Sequence, residues 1–200
     1  CPSFNSILAA AELALAHIAG VVGADPQQHR RRARRITAAV AEHLYDPRTQ
    51  TFRSRDVLTR TLSPARCING LVPLLLPDLP TAQAESIMAE ARSARFGLPE
   101  RTGLPLPSYD RTAPDFDRLR YWRGPSWINV NWLLRRGMLV HGYHAEAEDL
   151  RMAMIRLVHR SGQFEYFHPE TGAGIGAPAF SWTAALCLDL LADRSVPAYA

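Results

Sequence analysis

The sequence predicts an all-α domain that also carries two short β-hairpins. Apolar residues recur at helical spacing along most of the 200 residues, while strand-like sequence is confined to two short segments beside turn signals. These two segments also resemble each other, since Tyr45-Asp-Pro-Arg-Thr49 matches Phe167-His-Pro-Glu-Thr171 at an offset of 122 residues. Each follows a predicted helix and precedes another. A helix pair followed by a hairpin, and then repeated, suggests a toroid of helical hairpin units.

The first two helices are amphipathic and are joined by a glycine-containing turn. The first is predicted over residues 6–22, with Ser3 or Asn5 as its N-cap. Asp25-Pro26 supplies an N-cap and a proline at the first position of the second helix. The apolar stripe of the first helix consists of Ile7, Leu8, Ala11, Leu15 and Ile18. That of the second consists of Ile36, Ala39, Val40 and Leu44.

The remaining elements alternate helices with irregular segments. A hairpin is predicted over residues 45–52, a third helix from Ser63-Pro64 to just before Pro77, and a fourth capped by Thr81. Residues 98–119 contain four prolines and form a predicted long loop, and loops of this length usually line or cover a site. Further helices are predicted at 124–140, 144–159 and 179–191, with the second hairpin before the last of them.

The basic net charge does not indicate a nucleic-acid partner. All 23 basic residues are arginines, and they cluster only at residues 30–35, without the aromatic platforms of a single-strand binder. This cluster is interpreted as a solvated helix face. No apolar run reaches about 18 residues, so no membrane span is expected.

The cysteines favour a reducing compartment. Cys1, Cys67 and Cys187 are odd in number, far apart and not at metal-ligand spacing, so a cytoplasmic protein without metal or cofactor is expected. Because the chain opens at Cys1 directly before a helix, we expect it to begin within a larger domain. A lipid-anchored N-terminal cysteine is the alternative.

The segment Gln163-Phe-Glu-Tyr-Phe-His-Pro-Glu-Thr-Gly172 contains the leading catalytic candidate. Glu165 lies within an aromatic run, where a carboxylate can take a proton from water. The alternative is an exposed strand glutamate, or one paired with an arginine. The equivalent position in the first hairpin is His43, so the turn is shared architecture while the carboxylate belongs to one copy. This difference favours a functional role for Glu165.

The segment Tyr121-Trp-Arg-Gly-Pro-Ser-Trp127 is its expected companion. Gly124-Pro125 is predicted to open a helix whose first N–H groups lack partners, with Trp127 in the first turn. Several rings and one arginine would then converge, and sugars offer apolar CH faces to such rings. Core packing is the alternative for Trp127, and it is the better explanation of Trp132. Trp182 fits either role.

These segments resemble a known family. Residues 121–132, 165–172 and 176–185, together with Pro2-Ser-Phe-Asn5 and residues 52–56, are similar to the C-terminal half of glycoside hydrolase family 63-type enzymes. Within that group they are most similar to the bacterial mannosylglycerate and glucosylglycerate hydrolases. The resemblance covers nearly the whole chain.

The resemblance implies an (α/α)6 toroid that hydrolyses an α-glycosidic bond with inversion. Residues 1–200 would be a single unit, the C-terminal portion of the catalytic domain with about seven helices and short β-hairpins. In this chemistry one carboxylic acid protonates the leaving oxygen and a second carboxylate activates water. Glu165 occupies the general-base position. The positions implied for substrate binding are Tyr121, Trp122, Arg123, Gly124, Trp127 and Trp182.

Two departures bear on the implied activity. The general-acid aspartate of the family belongs to a segment N-terminal to residue 1, and Cys1 stands where the family usually has an aspartate before the proline. Asp110, Asp115 and Asp117 of the long loop are the candidates within the chain. Seven helices cannot close a toroid of twelve, so the expected partner is the missing N-terminal half. The isolated chain is therefore expected to be inactive.

Two other functions remain open at this point. One is a catalytically incomplete fragment or pseudoenzyme that binds sugar or only a partner chain. The other is a trehalase or debranching-type glucosidase built on the same toroid.

Overall fold

The computed structural model describes residues 1–193 and confirms the all-α prediction. Its helices are α1 (Pro2–Val21), α2 (Gln27–His43), α3 (Thr81–Arg92), the single turn α4 (Pro99–Thr102), α5 (Ile128–Val140), α6 (His144–Ser161) and α7 (Ser181–Ala192). Its strands are β1 (Tyr45–Asp46), β2 (Thr51–Phe52), β3 (Tyr166–Phe167) and β4 (Gly174–Ile175).

Helix α1 begins earlier than predicted and turns its apolar stripe outward. It starts at Pro2, and the Asn5 side chain donates to the Cys1 carbonyl, so neither Ser3 nor Asn5 is the N-cap. The buried face consists of small residues, including Ala9, Ala16 and Ala19, which allow close packing against α2. The predicted stripe is therefore largely exposed. The large side chains of this stripe that are exposed to solvent are Ile7, Leu8, Leu15 and Ile18.

Helix α1 is also long and apolar enough to cross a membrane, judged by length and composition alone. This property does not show a membrane span, so the absence of such a span stays a prediction. Glu12 and His17 interrupt the run of apolar letters, but they leave its average hydropathy high. Signal sequences and the core helices of soluble proteins can be equally long and apolar, so this property alone assigns no location.

The predicted third helix is wrong. Residues 68–75 form two short 3₁₀ turns instead, Ile68–Gly70 and Val72–Leu75. Gly70 packs where a Cβ would overlap the carbonyl oxygen of Phe52, and Pro73 has no N–H to donate. The compact turns let α5 approach closely, since a Cβ on Gly137 would lie 2.7 Å from the Leu74 carbonyl carbon.

The core lies between these turns, α3, α5 and α6. Leu74, Met88, Leu134, Met138 and Met154 are completely buried there. The predicted inward residues of the fourth and sixth predicted helices are buried as expected: Ile87, Met88, Ala91, Leu150, Met154 and Leu157.

Both predicted hairpins are present and antiparallel. Tyr45 pairs with Phe52 in the first, and Phe167 pairs with Gly174 in the second. Helix α5 starts at Ile128 rather than at Gly124, because Ser126 is extended and pairs with Phe167 and Pro107. Trp127 is thus the N-cap residue of α5 and not part of its first turn.

Candidate active site

The candidate site lies where the second hairpin meets the segment before α5. The Ser126 N–H donates to the Phe167 carbonyl at 2.8 Å, and the Phe167 N–H donates back at 2.9 Å. This pairing brings residues 121–127 beside residues 164–167, although the two segments are about forty residues apart in sequence. The structure therefore joins the two motifs that the sequence singled out.

The Glu165 carboxylate is held from two sides. The Tyr121 hydroxyl donates to Oε1 at 2.5 Å, and the Ala177 N–H lies 3.4 Å from Oε2. A Cβ at position 176 would lie 2.7 Å from Oε2, so Gly176 leaves the carboxylate its room. The Tyr121 pKa is raised, chiefly because its hydroxyl is hydrogen-bonded to the Glu165 carboxylate. The arrangement fixes the direction of a carboxylate that still has lone pairs for a water molecule.

Three rings form a column beside this carboxylate. The Trp122 and Trp127 rings stack at a centroid distance of 4.3 Å and an angle of 4°, and Tyr166 stacks on Trp127 at 5.1 Å. Trp127 is 3% exposed and Trp122 is 41% exposed, so the outer face of the column is open to solvent. Trp127 is therefore packed as a core residue and supports the exposed Trp122 ring, while its role in substrate binding stays a prediction.

Tyr121 has an unusual backbone conformation. Its φ is 24°, which is uncommon for a residue other than glycine. Its carbonyl oxygen accepts a hydrogen bond from Trp127 Nε1 at 2.9 Å, and its ring meets Trp127 edge-on at 4.9 Å. The ring column therefore holds the tyrosine in the orientation that reaches Glu165.

Arg123 and Gly124 have structural partners. The Arg123 guanidinium pairs with Asp115 and lies over the Tyr109 ring at 5.7 Å. The Gly124 N–H donates to Ser108 Oγ at 3.1 Å, and a Cβ there would overlap the carbonyl oxygen of Asp117. Their predicted part in substrate binding stays a prediction, while their contacts with the long loop are direct.

The three loop aspartates are all engaged within the loop or with its neighbours. Asp110 is buried and accepts from the Thr112 N–H at 2.8 Å. Asp115 pairs with Arg123. Asp117 accepts from the Leu119 N–H at 2.9 Å. Each carboxylate thus stabilises the local chain.

Trp182 makes its ring contact with Phe180 and not with the ring column. It is exposed in the first turn of α7, and its ring centroid is 5.7 Å from that of Phe180. In residues 1–193 no group of three or more histidine, cysteine or acidic side chains is placed to hold a metal ion.

Sequence reasoning missed two residues of this region. Tyr166 completes the ring column, and its position next to Glu165 in the aromatic run was a usable signal. Arg111 links the long loop to the turn after β3 through the Pro169 carbonyl. No feature of the sequence distinguished Arg111 from the other 22 arginines, because its role depends on a contact across 58 residues.

The helical architecture is that of the (α/α)6 glycoside hydrolases. The model of the mannosylglycerate hydrolase MGH1-like glycoside hydrolase domain matches residues 1–183, and the chain belongs to this family. The resemblance found in the sequence is thereby confirmed.

Similar proteins include enzymes and a solved structure. The mannosylglycerate hydrolase of Rubrobacter radiotolerans is 40% identical over 95% of this chain and 43% of that protein. The glucosylglycerate hydrolase of Mycolicibacterium hassiacum is 34% identical over 80% of this chain and 36% of that protein. The crystal structure of the family 63 mannosylglycerate hydrolase of Thermus thermophilus in complex with glucose superposes with a TM-score of 0.83 at 32% identity.

The chain corresponds to only part of these proteins. The superposition on the Thermus structure covers 94% of this chain but 46% of the Thermus chain. The chain thus spans less than half the length of the relatives it matches.

Proposed function

We propose that this chain is the C-terminal part of an inverting α-glycoside hydrolase in which Glu165 is the general base. The observation that carries the proposal is the Glu165 carboxylate held by Tyr121 at the side of an open ring column. A fixed carboxylate can orient and deprotonate a water molecule, while the rings can accept the apolar face of a sugar. The equivalent position of the first hairpin is His43 and carries no carboxylate, which supports the same role for Glu165.

The general acid is proposed to come from outside residues 1–200. An inverting pair stands roughly 6.5–9.5 Å apart so that a water molecule fits between the two carboxyl groups. The loop aspartates are already engaged by Thr112, Arg123 and the Leu119 N–H, which argues against each of them.

The natural partner of the chain is then the N-terminal half of the toroid. The outward stripe of α1 and the exposed Leu188 and Leu191 on α7 are apolar surfaces that such a half would cover. The greater length of the relatives supports this view, because the chain matches only 43% of the Rubrobacter protein. Residues 1–200 would therefore be one unit of a larger catalytic domain.

The proposed substrate is a small glycoside such as mannosylglycerate or glucosylglycerate. The relatives named above carry these substrates in their names, and a Thermus structure contains D-glycerate together with Tris. A cytoplasmic location stays a prediction that rests on the odd cysteine count. A panel of mannosylglycerate, glucosylglycerate, trehalose and maltose distinguishes the proposed substrates from those of a trehalase or debranching-type enzyme.

The test of the general base is Glu165→Gln in the natural chain that carries this segment. The amide cannot take the proton from water, so we expect kcat to fall by at least about 10³-fold. Glucose binding, measured by calorimetry, should stay within about threefold because the ring column is unchanged. The anomer released first by the unsubstituted enzyme, followed by NMR, should be inverted relative to the substrate.

Glu100→Gln is the matched control, since Glu100 is exposed in the short α4 turn. It should leave kcat unchanged. Near-normal hydrolysis by Glu165→Gln would refute the assignment.

A second test uses the purified 200-residue chain alone. We expect it to be inactive on all four glycosides because the general acid is proposed to lie outside residues 1–200. Measurable hydrolysis would contradict this and would return attention to Asp110, Asp115 and Asp117.

A further inference from the structure

The segment that carries Tyr121 is fastened to the second hairpin at several points. We call residues 103–127, which connect α4 to α5, the strap. We call residues 168–173, which join β3 to β4, the clasp turn. Apart from the Tyr121–Glu165 hydrogen bond, contacts run from Arg111, Arg118 and Ser126 of the strap to residues 167–170.

Arg111 connects the strap with two backbone carbonyls. Its Nε donates to the Phe96 carbonyl at 3.1 Å, and its Nη2 donates to the Pro169 carbonyl at 3.2 Å. The Arg111 guanidinium is partly desolvated, and this burial lowers its pKa. A planar guanidinium has donors in fixed directions, and it therefore holds these two segments at a defined separation.

Arg118 makes the second link. Its Nε lies 2.6 Å from Glu170 Oε2, and the pair raises the Arg118 pKa and lowers that of Glu170. Arg118 is 51% exposed and Glu170 is 44% exposed, so the free energy of this pair is modest. Arg160 also reaches the clasp turn, donating to the Thr171 carbonyl at 3.2 Å.

The first hairpin shows that the turn itself does not need a carboxylate at this position. The residue equivalent to Glu170 is Arg48, which is exposed in a turn of the same design. The carboxylate at position 170 therefore serves the contact with Arg118 of the strap, and the hairpin turn does not require it.

The path along the strap from Arg118 to Tyr121 is short and hydrogen-bonded. Only two residues separate them, and the intervening chain is tied by the Asp117 N–H to the Arg123 carbonyl at 2.9 Å. The Tyr121 N–H donates to the Leu119 carbonyl at 3.1 Å. A shift of about 1 Å in such a connection is large for a catalytic hydrogen bond.

We propose that Arg111 and the Arg118–Glu170 pair are positioning residues that fasten the strap to the clasp turn and thereby set the Tyr121–Glu165 contact. The inference rests on the proposed role of Glu165 as general base. None of the three side chains touches substrate in this proposal, since they act through Tyr121.

The first experiment is Arg111→Met in the natural chain that carries this segment. Methionine keeps the buried stem but loses both hydrogen bonds, and we expect kcat to fall about tenfold. In a Tyr121→Phe background the same change should lower kcat less than about twofold, because the positioned hydroxyl is gone. Equal effects in both backgrounds would overturn the proposal. Arg111→Lys, which retains a charge but not the fixed fork, should also lower kcat and covers the case of a misfolded methionine variant.

The second experiment exchanges the charges of the exposed pair. Arg118→Glu and Glu170→Arg should each lower kcat roughly two- to fivefold, as expected for losing a half-exposed ion pair. The double variant should return to within about twofold of the natural chain. Arg48→Glu, at the position equivalent to 170, is the control and should leave kcat unchanged. Failure of the double variant to recover activity contradicts the proposal.

Hydrogen exchange separates this inference from the proposed function. Arg111→Met should increase amide exchange in residues 119–127 by about tenfold relative to the same variant's α6, whether or not the protein hydrolyses glycosides. If Glu165→Gln were active while Arg111→Met still increased this exchange, the assignment of Glu165 as general base would be wrong. The proposed fastening of the strap to the clasp turn would still be supported. Unchanged exchange in residues 119–127 would refute the proposed fastening of the strap to the clasp turn, and it would not affect the proposed role of Glu165.

Discussion

The two hairpins have the same framework, but only the second is joined to the candidate site. In the first, Asp46 Oδ1 accepts the Arg48 N–H at 3.0 Å. In the second, His168 Nδ1 occupies the equivalent place and accepts the Glu170 N–H at 3.2 Å. The acceptor is retained although the residue type changes. A turn of this kind thus requires a side-chain acceptor, while its other positions are free to differ.

The fifth turn position shows a second difference. Gln50 has φ 53° and the equivalent Gly172 has φ 73°, so both are left-handed. Gln50 is exposed, whereas a Cβ at Gly172 would overlap Arg160 and lie 2.8 Å from Leu157 Cδ1. The second hairpin is therefore pressed against α6, and the first is not. Glycine is required where packing and backbone both exclude a side chain.

The largest expected effect on stability comes from Gly172→Ala. The new methyl group has an unfavourable backbone conformation and must displace the ends of the Arg160 and Leu157 side chains, which together should cost about 2 kcal/mol. Gln50→Ala, at the equivalent position, should change stability by less than about 0.5 kcal/mol because both residues carry a Cβ. The measurement is urea unfolding of the natural chain. Equal losses at both positions would show that the hairpins are packed alike.

The second prediction concerns the His168 acceptor. His168→Ala leaves the Glu170 and Thr171 N–H groups without their shared partner, and we expect a loss of about 1 kcal/mol. His168→Asp reproduces the residue found in the first hairpin and should lose less than half as much. A larger loss for aspartate than for alanine in urea unfolding would contradict the equivalence of the two turns.

A smaller effect of opposite sign is expected for Gln50→Gly. Glycine relieves the left-handed strain of glutamine, and the added freedom of the unfolded chain offsets part of this gain. The net result should be a stabilisation of about 0.5 kcal/mol, measured as a higher urea midpoint with an unchanged slope. A lower midpoint would show that the Gln50 side chain has a stabilising role.

The smallest expected effect is on the acid dependence of stability. The hydrogen bond from Thr49 lowers the Asp46 pKa below its ordinary value of 3.8. Because the pKa is lower in the folded state, ionised Asp46 stabilises the fold when the pH is above the ordinary pKa. This contribution is lost as the pH falls through the folded-state pKa. Asp46→Asn should therefore flatten the fall in stability below about pH 4 and leave its slope near pH 7 unchanged. An unaltered acid limb in urea titrations would contradict this role of Asp46.

The sequence predicted the elements whose signals are local. Asp25 indeed accepts the Gln27 N–H at the start of α2, and the buried faces of α3 and α6 follow their apolar periodicity. The orientation of α1 was not predictable in this way. Its partners require the small face for close packing, and the choice between the alanine face and the leucine face depends on which neighbours are present.

Most members of the candidate site were predictable, but its geometry was not. Glu165, Tyr121, Trp122 and Trp127 were selected from local sequence and family resemblance, and they do lie together. The Ser126–Phe167 pairing displaced the start of α5 to Ile128, which periodicity alone does not reveal. Contacts such as this one join residues far apart in the chain, and no local pattern encodes them.

The stacked indoles give the molecule an optical property. Trp122 is partly in water while Trp127, directly beneath it, is buried, so a molecule covering the column changes the surroundings of the outer indole alone. Covering that face removes water from an emitting ring, and its fluorescence should shift to shorter wavelength and lose access to iodide. If a ligand covers the ring column, as the proposed function requires, the Trp122 indole would report its binding.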